Sequence, residues 1–202
     1  GFSLSAARRS IKTEDYPLTA PMFLYLPAHR LPRIARDFLT YVRGPAAQIV
    51  IRRAGFVDQA PEYIPMRMQG ERLSNAIKSA GDDIPLGELK RMISGLDGLQ
   101  RLTTSFRFEA GSSRPDAQSR NNIDLIAREL EAGVYDGKRM VFVGFSDGEG
   151  PAEGNRAIAL KRAESVRRAV ERAAETANLD RITIETAAYG EALPIACDDS
   201  AW

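Results

Sequence analysis

The chain predicts an α/β fold, helices packed on one sheet, preceded by a smaller α/β fragment. Three observations predict it. Across residues 102–190 the apolar pattern alternates between strand and helix periods, in the order strand, helix, strand, helix, strand. The length of 202 residues accommodates one large domain or two small ones. A hydrophobic fraction of 44% is ordinary for a globular protein.

The elements follow in order. Tyr16 to Leu26, YPLTAPMFLYL, reads as a strand. It is aromatic and aliphatic, and its prolines sit toward the end where a strand start or sheet edge tolerates them. PAHRLP is a loop. From Pro32 to about Ala54, Ile34, Phe38, Leu39, Val42, Ile49 and Val50 recur at helical intervals. Gly44-Pro45 interrupts that pattern. One helix is expected to end near Arg43 and another to start at Pro45, with Gly55 as its cap. QAPEYIPMRMQG is a loop or short strand. GERLSNAIKSAG is either a helix or a strand and turn. Pro85 to Leu96 is a short amphipathic helix, with Leu86, Leu89, Met92, Ile93 and Leu96 on one face.

Beyond it the pattern sharpens. LTTSFRFEA alternates as a strand, and GSSRPDAQS is a loop. Ile123, Ile126, Ala127 and Leu130 form the stripe of a helix ending at Gly133. RMVFVG, residues 139–144, is a buried strand. The loop SDGEGPAEG leads into a long helix, roughly Asn155 to Ala177, and RITIETAAYG is a further strand. The expected division is a fragment over 1–80, a linker helix within 81–100 and a C-terminal domain over 101–202.

Composition excludes several functions. Twenty-eight basic and 27 acidic side chains nearly cancel, which gives no reason to expect nucleic acid or an anionic membrane as the main partner. Arg156, Arg167, Arg168 and Arg172 are interleaved with Glu164, Glu171 and Glu175, the pattern of a solvated, ion-paired helix face. Apolar runs fall short of the roughly 20 residues of a membrane helix, so no membrane-spanning segment is expected. No charged-then-apolar leader opens the sequence. The lone Cys197 excludes an internal disulfide and reads as a small residue near a loop. The lone His29 lies in a Pro-rich stretch far from any acid cluster. Neither a His-based metal site nor a nucleophile–histidine pair is expected, and no cofactor is implied. Residues 102–202 contain no histidine, so the chain does not read as an enzyme.

One constellation carries chemistry. Asp147 lies on the loop after the 139–144 strand, among Gly148, Gly150 and Gly154. Asn155 and Arg162 are seven residues apart, nearly two helical turns, and share a face of the next helix. Asp147 offers a carboxylate to an ammonium group, and Arg162 offers a planar fork to a carboxylate. Free N–H groups at the helix start add attraction for an anionic end. Together they complement a zwitterion such as an amino-acid head group. By spacing alone, an internal Asp147–Arg162 salt bridge or a turn-shaping role for Asp147 is the simpler reading.

The stretch VGFSDGEGPAEGNRAIALKRAESV also resembles the signature of the OmpA-like peptidoglycan-binding domain. That pattern runs strand, G-H-T-D, x-x-G, a short loop, then N-x-x-L-S-x-x-R-A-x-x-V. Gly144, Asp147, Gly150, Asn155, Arg162, Ala163 and Val166 stand at the matching positions without insertion, and Ile158 takes the leucine place. FEAGSSRPDAQS matches the first strand and loop through Phe108 and Ser113. YGEALPIA matches a G-x-x-x-P-I-A turn through Gly190, Pro194, Ile195 and Ala196. The resemblance spans about Leu102 to Trp202 and implies an OmpA-like βαβαβ sandwich. It implies non-catalytic binding of the peptidoglycan stem peptide, anchoring an envelope protein in the periplasm of a Gram-negative bacterium. Asp147 and Arg162 would hold the amino and carboxyl groups of diaminopimelate, and Asn155 would touch the same ligand. Ser146 stands in for a usual threonine, and Gly111 takes a first-loop position usually held by asparagine. Phe145 replaces the usual histidine and Ala159 the usual serine. The closing N-R-R-V-E strand has no counterpart before Trp202, which predicts an exposed sheet edge.

Residues 14–60 resemble the last part of a periplasmic phosphate-type solute-binding protein. Tyr16, Pro17, Pro21, Tyr25, Phe38, Gln48, Gly55 and Phe56 fit that pattern, and Ala20 replaces a usual arginine. The resemblance implies anion-holding loops earlier in such a protein, so a small anion would be bound by a missing N-terminal region. It also carries the alternative of an ABC-transporter solute-binding component with an appended wall-binding module.

Overall fold

The computed structural model describes residues 5–16, 18–79, 84, 86–109, 112–146, 151–190 and 192. The chain is α/β and forms two compact units. One comprises Ser3–Ile64 and Leu102–Thr104, the other Pro65–Arg101 and Ser105–Trp202.

Among the described residues the first unit contains the helices α1 (Arg8–Lys12), α2 (Arg33–Arg43) and α3 (Pro45–Arg53). As expected, Gly44 separates α2 from α3, Pro45 opens α3, and Gly55 follows it with φ 87°. The strand expected over Tyr16–Leu26 does not form among the described residues, where 18–27 belong to no helix or strand. Its side chains face outward, Tyr25 being 91% exposed. Strand-like composition is insufficient without a neighbouring edge to receive the backbone hydrogen bonds, and Pro21 has no N–H to give.

The small interior of this unit is largely polar. Gln48 donates from Nε2 to the Val42 carbonyl at 2.8 Å and accepts from the Gln59 N–H at 2.8 Å, fastening the α2–α3 hairpin to the following loop. Asp58 is buried and accepts from Lys12 Nζ at 2.9 Å, Arg8 Nη1 at 3.2 Å and the Ala60 N–H at 3.1 Å. Burial alone would raise its pKa. The Lys12 hydrogen bond and charge, with the Ala60 N–H and Arg52, outweigh burial and hold the carboxylate below its usual range. Glu62 is lowered in the same way, with Lys12 and Arg8 prevailing over burial and the repulsion of Asp58.

The chain passes from one unit to the other and back at β1 (Tyr63–Pro65) and β2 (Gln100–Leu102), which pair as a two-stranded sheet. The strand expected from Leu102 through Ala110 therefore forms only at its start. Within the described part of that segment, Phe108 makes only an isolated antiparallel bridge with Pro115.

In the second unit, α4 (Gly70–Ser79) and α5 (Leu86–Leu96) precede α6 (Ala117–Glu131), β3 (Arg139–Gly144), α7 (Ala152–Ala173) and β4 (Thr183–Ala188). Asp116 caps α6 by accepting the Ser119 N–H at 2.7 Å. Gly133 ends it with φ 71°. The parallel pair β3–β4 runs in register from Arg139↔Thr183 to Gly144↔Ala188, with α7 as the crossover. Ile123, Ile126, Ala127 and Leu130 of α6 are buried, as are Ala159, Ala163, Val166 and Val170 of α7. The α6 set is the one the helical spacing singled out, whereas on α7 the apolar Ile158, expected on the same stripe as Ala159, Ala163, Val166 and Val170, is 45% exposed. The expected linker region 81–100 contains α5, whose Leu89, Met92 and Leu96 are buried with Ala192 in a cluster of this unit.

Candidate functional site

Of the candidate site residues named from the sequence, Ser146 follows the carboxyl end of β3, and Asn155 and Arg162 lie on α7. In an open parallel sheet this end is where loops converge and helix N-termini point. β3 reaches it on a tight contact. A Cβ on Gly144 would overlap the Ala159 carbonyl of α7, so only glycine lets strand and helix approach this closely. The pairing then continues past the strand ends. The Tyr189 N–H donates to the Gly144 carbonyl at 3.2 Å, and the Ser146 N–H donates to the Gly190 carbonyl at 2.9 Å. Gly190 has φ 50° and lies against the backbone of Ala152 and Arg156 in the first turn of α7.

Ser146 is 6% exposed, and among the described residues its buried Oγ has no hydrogen-bond partner. Asp147 and Gly111 lie outside the described residues. Asn155 is only 2% exposed. The helix begins earlier than its spacing predicts: α7 starts at Ala152 after Pro151, and the Asn155 N–H already donates to the Pro151 carbonyl at 3.0 Å. The free amides of the first turn therefore belong to Ala152, Glu153 and Gly154 rather than to residues after Asn155.

Arg162 lies two turns further along, half-buried. Its guanidinium carbon sits 5.3 Å from the centroid of the Phe108 ring, a cation–π stack. Among the described residues its buried Nε has no hydrogen-bond partner and no carboxylate pairs with it. The nearby acid Glu109 is directed instead to Arg114 and Arg120, at 3.6 and 3.7 Å. Elsewhere on α7 the charges pair as expected of a solvated face, Arg167 with Glu171 at 2.8 Å and Arg168 with Glu164 at 3.2 Å. The segment carrying Phe108 is held to α6 by the Arg107 N–H donating to Ser119 Oγ at 2.7 Å and by Asn122 Nδ2 donating to the Ser105 carbonyl at 2.8 Å. From α7, Ser165 Oγ donates to the Ser113 carbonyl at 3.2 Å.

The structure thus brings Asn155 and Arg162 onto one side of α7, and Ser146 to the strand end beside that helix's first turn. Sequence reasoning missed the role of Phe108 as a platform for Arg162. Its signal was present, an aromatic residue in the first-strand match, but a ring beneath a cation is a contact that spacing does not encode. Among the described residues no cluster of His, Cys, Asp and Glu can hold a metal ion, and no described helix is long and apolar enough to cross a membrane.

Residues 107–201 match the model of the OmpA family. Two solved structures are similar to this chain. One is the peptidoglycan-associated lipoprotein from Burkholderia pseudomallei, 24% identical, with 47% of this chain and 75% of that chain covered and a TM-score of 0.40. The other is the C-terminal domain of Helicobacter pylori MotB, 20% identical, with 47% and 70% covered and a TM-score of 0.35. No curated protein sequence matches the chain.

Proposed function

From the OmpA-like domain at residues 107–201 as premise, we propose that the second unit binds the stem peptide of peptidoglycan and anchors an envelope protein of a Gram-negative bacterium to its wall. The binding is non-covalent and needs no catalytic residue, metal or cofactor. The observation that supports it best is Arg162. A half-buried guanidinium stacked on Phe108, with a buried Nε that has no partner among the described residues, keeps a cation available to an incoming carboxylate. In this reading Arg162 takes the carboxylate of diaminopimelate and Asp147 its ammonium group. Asn155 and Ser146 supply further polar contacts, and Gly111, at the position the family pattern gives to asparagine, offers the ligand no side-chain hydrogen bond.

Each charged hydrogen bond contributes on the order of 1.5–3 kcal/mol before the cost of ordering the ligand. A single stem is thus held weakly, and the repeating polymer supplies avidity. Asp147→Ala and Arg162→Ala are expected to abolish co-sedimentation with diaminopimelate-type sacculi while the far-ultraviolet circular dichroism stays unchanged. Undiminished sedimentation of both variants would overturn the assignment. The alternative of a phosphate-type transport component rests on residues 14–60, of which 18–27 form no strand among the described residues whereas α2 and α3 form as helices.

A further inference from the structure

We propose that α5, which lies outside the 107–201 family match, is a positioning element of the proposed wall-binding site. This rests on the reading above.

The inference starts from Phe145, which stands where the family pattern has histidine. Phe145 occupies the single position between Gly144 and Ser146. Gly144 is pinned against α7, and Ser146 is pinned by its N–H to the Gly190 carbonyl. Any displacement of the Phe145 ring is passed to the strand end from which the ligand loop departs. A histidine here would bring polar nitrogens, and a buried polar group without a partner is costly. Phe145 instead turns into apolar surroundings. It packs against the cluster of Leu89, Met92, Leu96 and Ala192, three of whose members come from α5.

Tyr189 packs against the same cluster, and its ring lies 6.2 Å from that of Phe145. Tyr189 reaches α5 at Gly95, where an added Cβ would overlap its hydroxyl. Its backbone N–H holds the Gly144 carbonyl, and the next residue, Gly190, supplies the acceptor for Ser146. Thus both strands leading to the site carry an aromatic side chain seated in the same α5-built cluster. The position of α5 therefore sets the separation and direction of the two strand ends. The binding module of this protein accordingly starts at α5, not at the boundary of the family match.

The test uses the full chain and two variants, Phe145→Ala and Gly95→Val. The first removes the ring, and the second drives the Tyr189 hydroxyl away from α5. Two quantities are read: amide hydrogen exchange at Ser146 with Ile126 in α6 as the folding reference, and the affinity for a diaminopimelate-containing stem peptide. The expected result is faster exchange at Ser146 with Ile126 unchanged, and binding roughly tenfold weaker in each variant, as when a group supporting a binding residue is lost. Unchanged Ser146 exchange in both variants overturns the positioning role, as does unchanged affinity in both. If a variant loses protection at Ile126 as well, Met92→Ala, a smaller lesion in the same cluster, gives the same two readings. If the unaltered chain fails to bind the peptide, the wall-binding reading falls, and Ser146 exchange alone then decides whether α5 holds the strand end.

Discussion

At the scale of single residues, pairing decides which charges are available. Glu109 is engaged by Arg114 and Arg120, whereas Arg162 rests on an aromatic face. A ring stabilises a cation without neutralising it, so the guanidinium keeps its affinity for an anion. Glu129 shows the opposite situation. Burial raises its pKa, and the Tyr135 hydroxyl, Arg128 and Lys138 offset only part of that. Below the usual carboxylate range both folded and unfolded chains hold the proton, and the group contributes nothing to pH dependence. As pH rises through the interval up to the raised folded value, unfolding releases a proton that the native state retains, and stability falls. Glu129→Gln retains an acceptor for Tyr135 and removes the buried charge. Its melting temperature at neutral pH is expected to equal or exceed that of the unaltered protein, with the gap closing below about pH 4.

At the scale of elements, the close approach of β3 and α7 is the most exacting contact. Gly144→Ala places a methyl group into the Ala159 carbonyl, which is backbone and cannot swing aside. Overpacking of this kind costs about 1–3 kcal/mol, and here the upper part of that range is expected, read as a lower urea midpoint at unchanged slope. Much at this scale was legible in the sequence. The buried stripes of α6 and α7, the glycine ends of α3 and α6 and the strands β3 and β4 follow from local periodicity and turn chemistry. Elements that depend on a distant neighbour were not legible. Tyr16–Leu26 has a strand's composition but no ladder, and the segment after Leu102 contributes a bridge at Phe108 rather than a full strand. The start of α7 was misplaced because Pro151, not Asn155, supplies the geometry that opens it. At the site, the shared side of Asn155 and Arg162 follows from helical spacing, whereas the Phe108 stack and the seat of Phe145 are tertiary contacts.

At the scale of the whole molecule, the two units are stabilised by different physics. The second has an apolar core. The first relies on Lys12, Arg8 and Arg52 around Asp58 and Glu62, while many of its large apolar side chains face outward. Both carboxylates lie below their usual range, so their stabilisation is complete above the pKa of an unfolded carboxylate and is lost as pH falls through the depressed folded values. Acid titration followed by amide exchange is expected to release Gln59 before Ile126. Lys12→Met leaves Asp58 buried without its main partner. Because Arg8 and Arg52 remain beside Asp58, the substitution is expected to destabilise the first unit at neutral pH by less than the roughly 3–5 kcal/mol of a buried charge left wholly unpaired, with Ile126 protection unaffected.

The parallel pairing of β3 with β4 also has a kinetic consequence. Two adjacent parallel strands cannot zip from a tight turn, because the whole of α7 and its connections must first close into a loop. During refolding, then, α7 gains its helical hydrogen bonds first and the amides joining Val141 to its partner strand become protected late. Ser146, held by its N–H to the Gly190 carbonyl just past the strand ends, acquires its final place only in that last step.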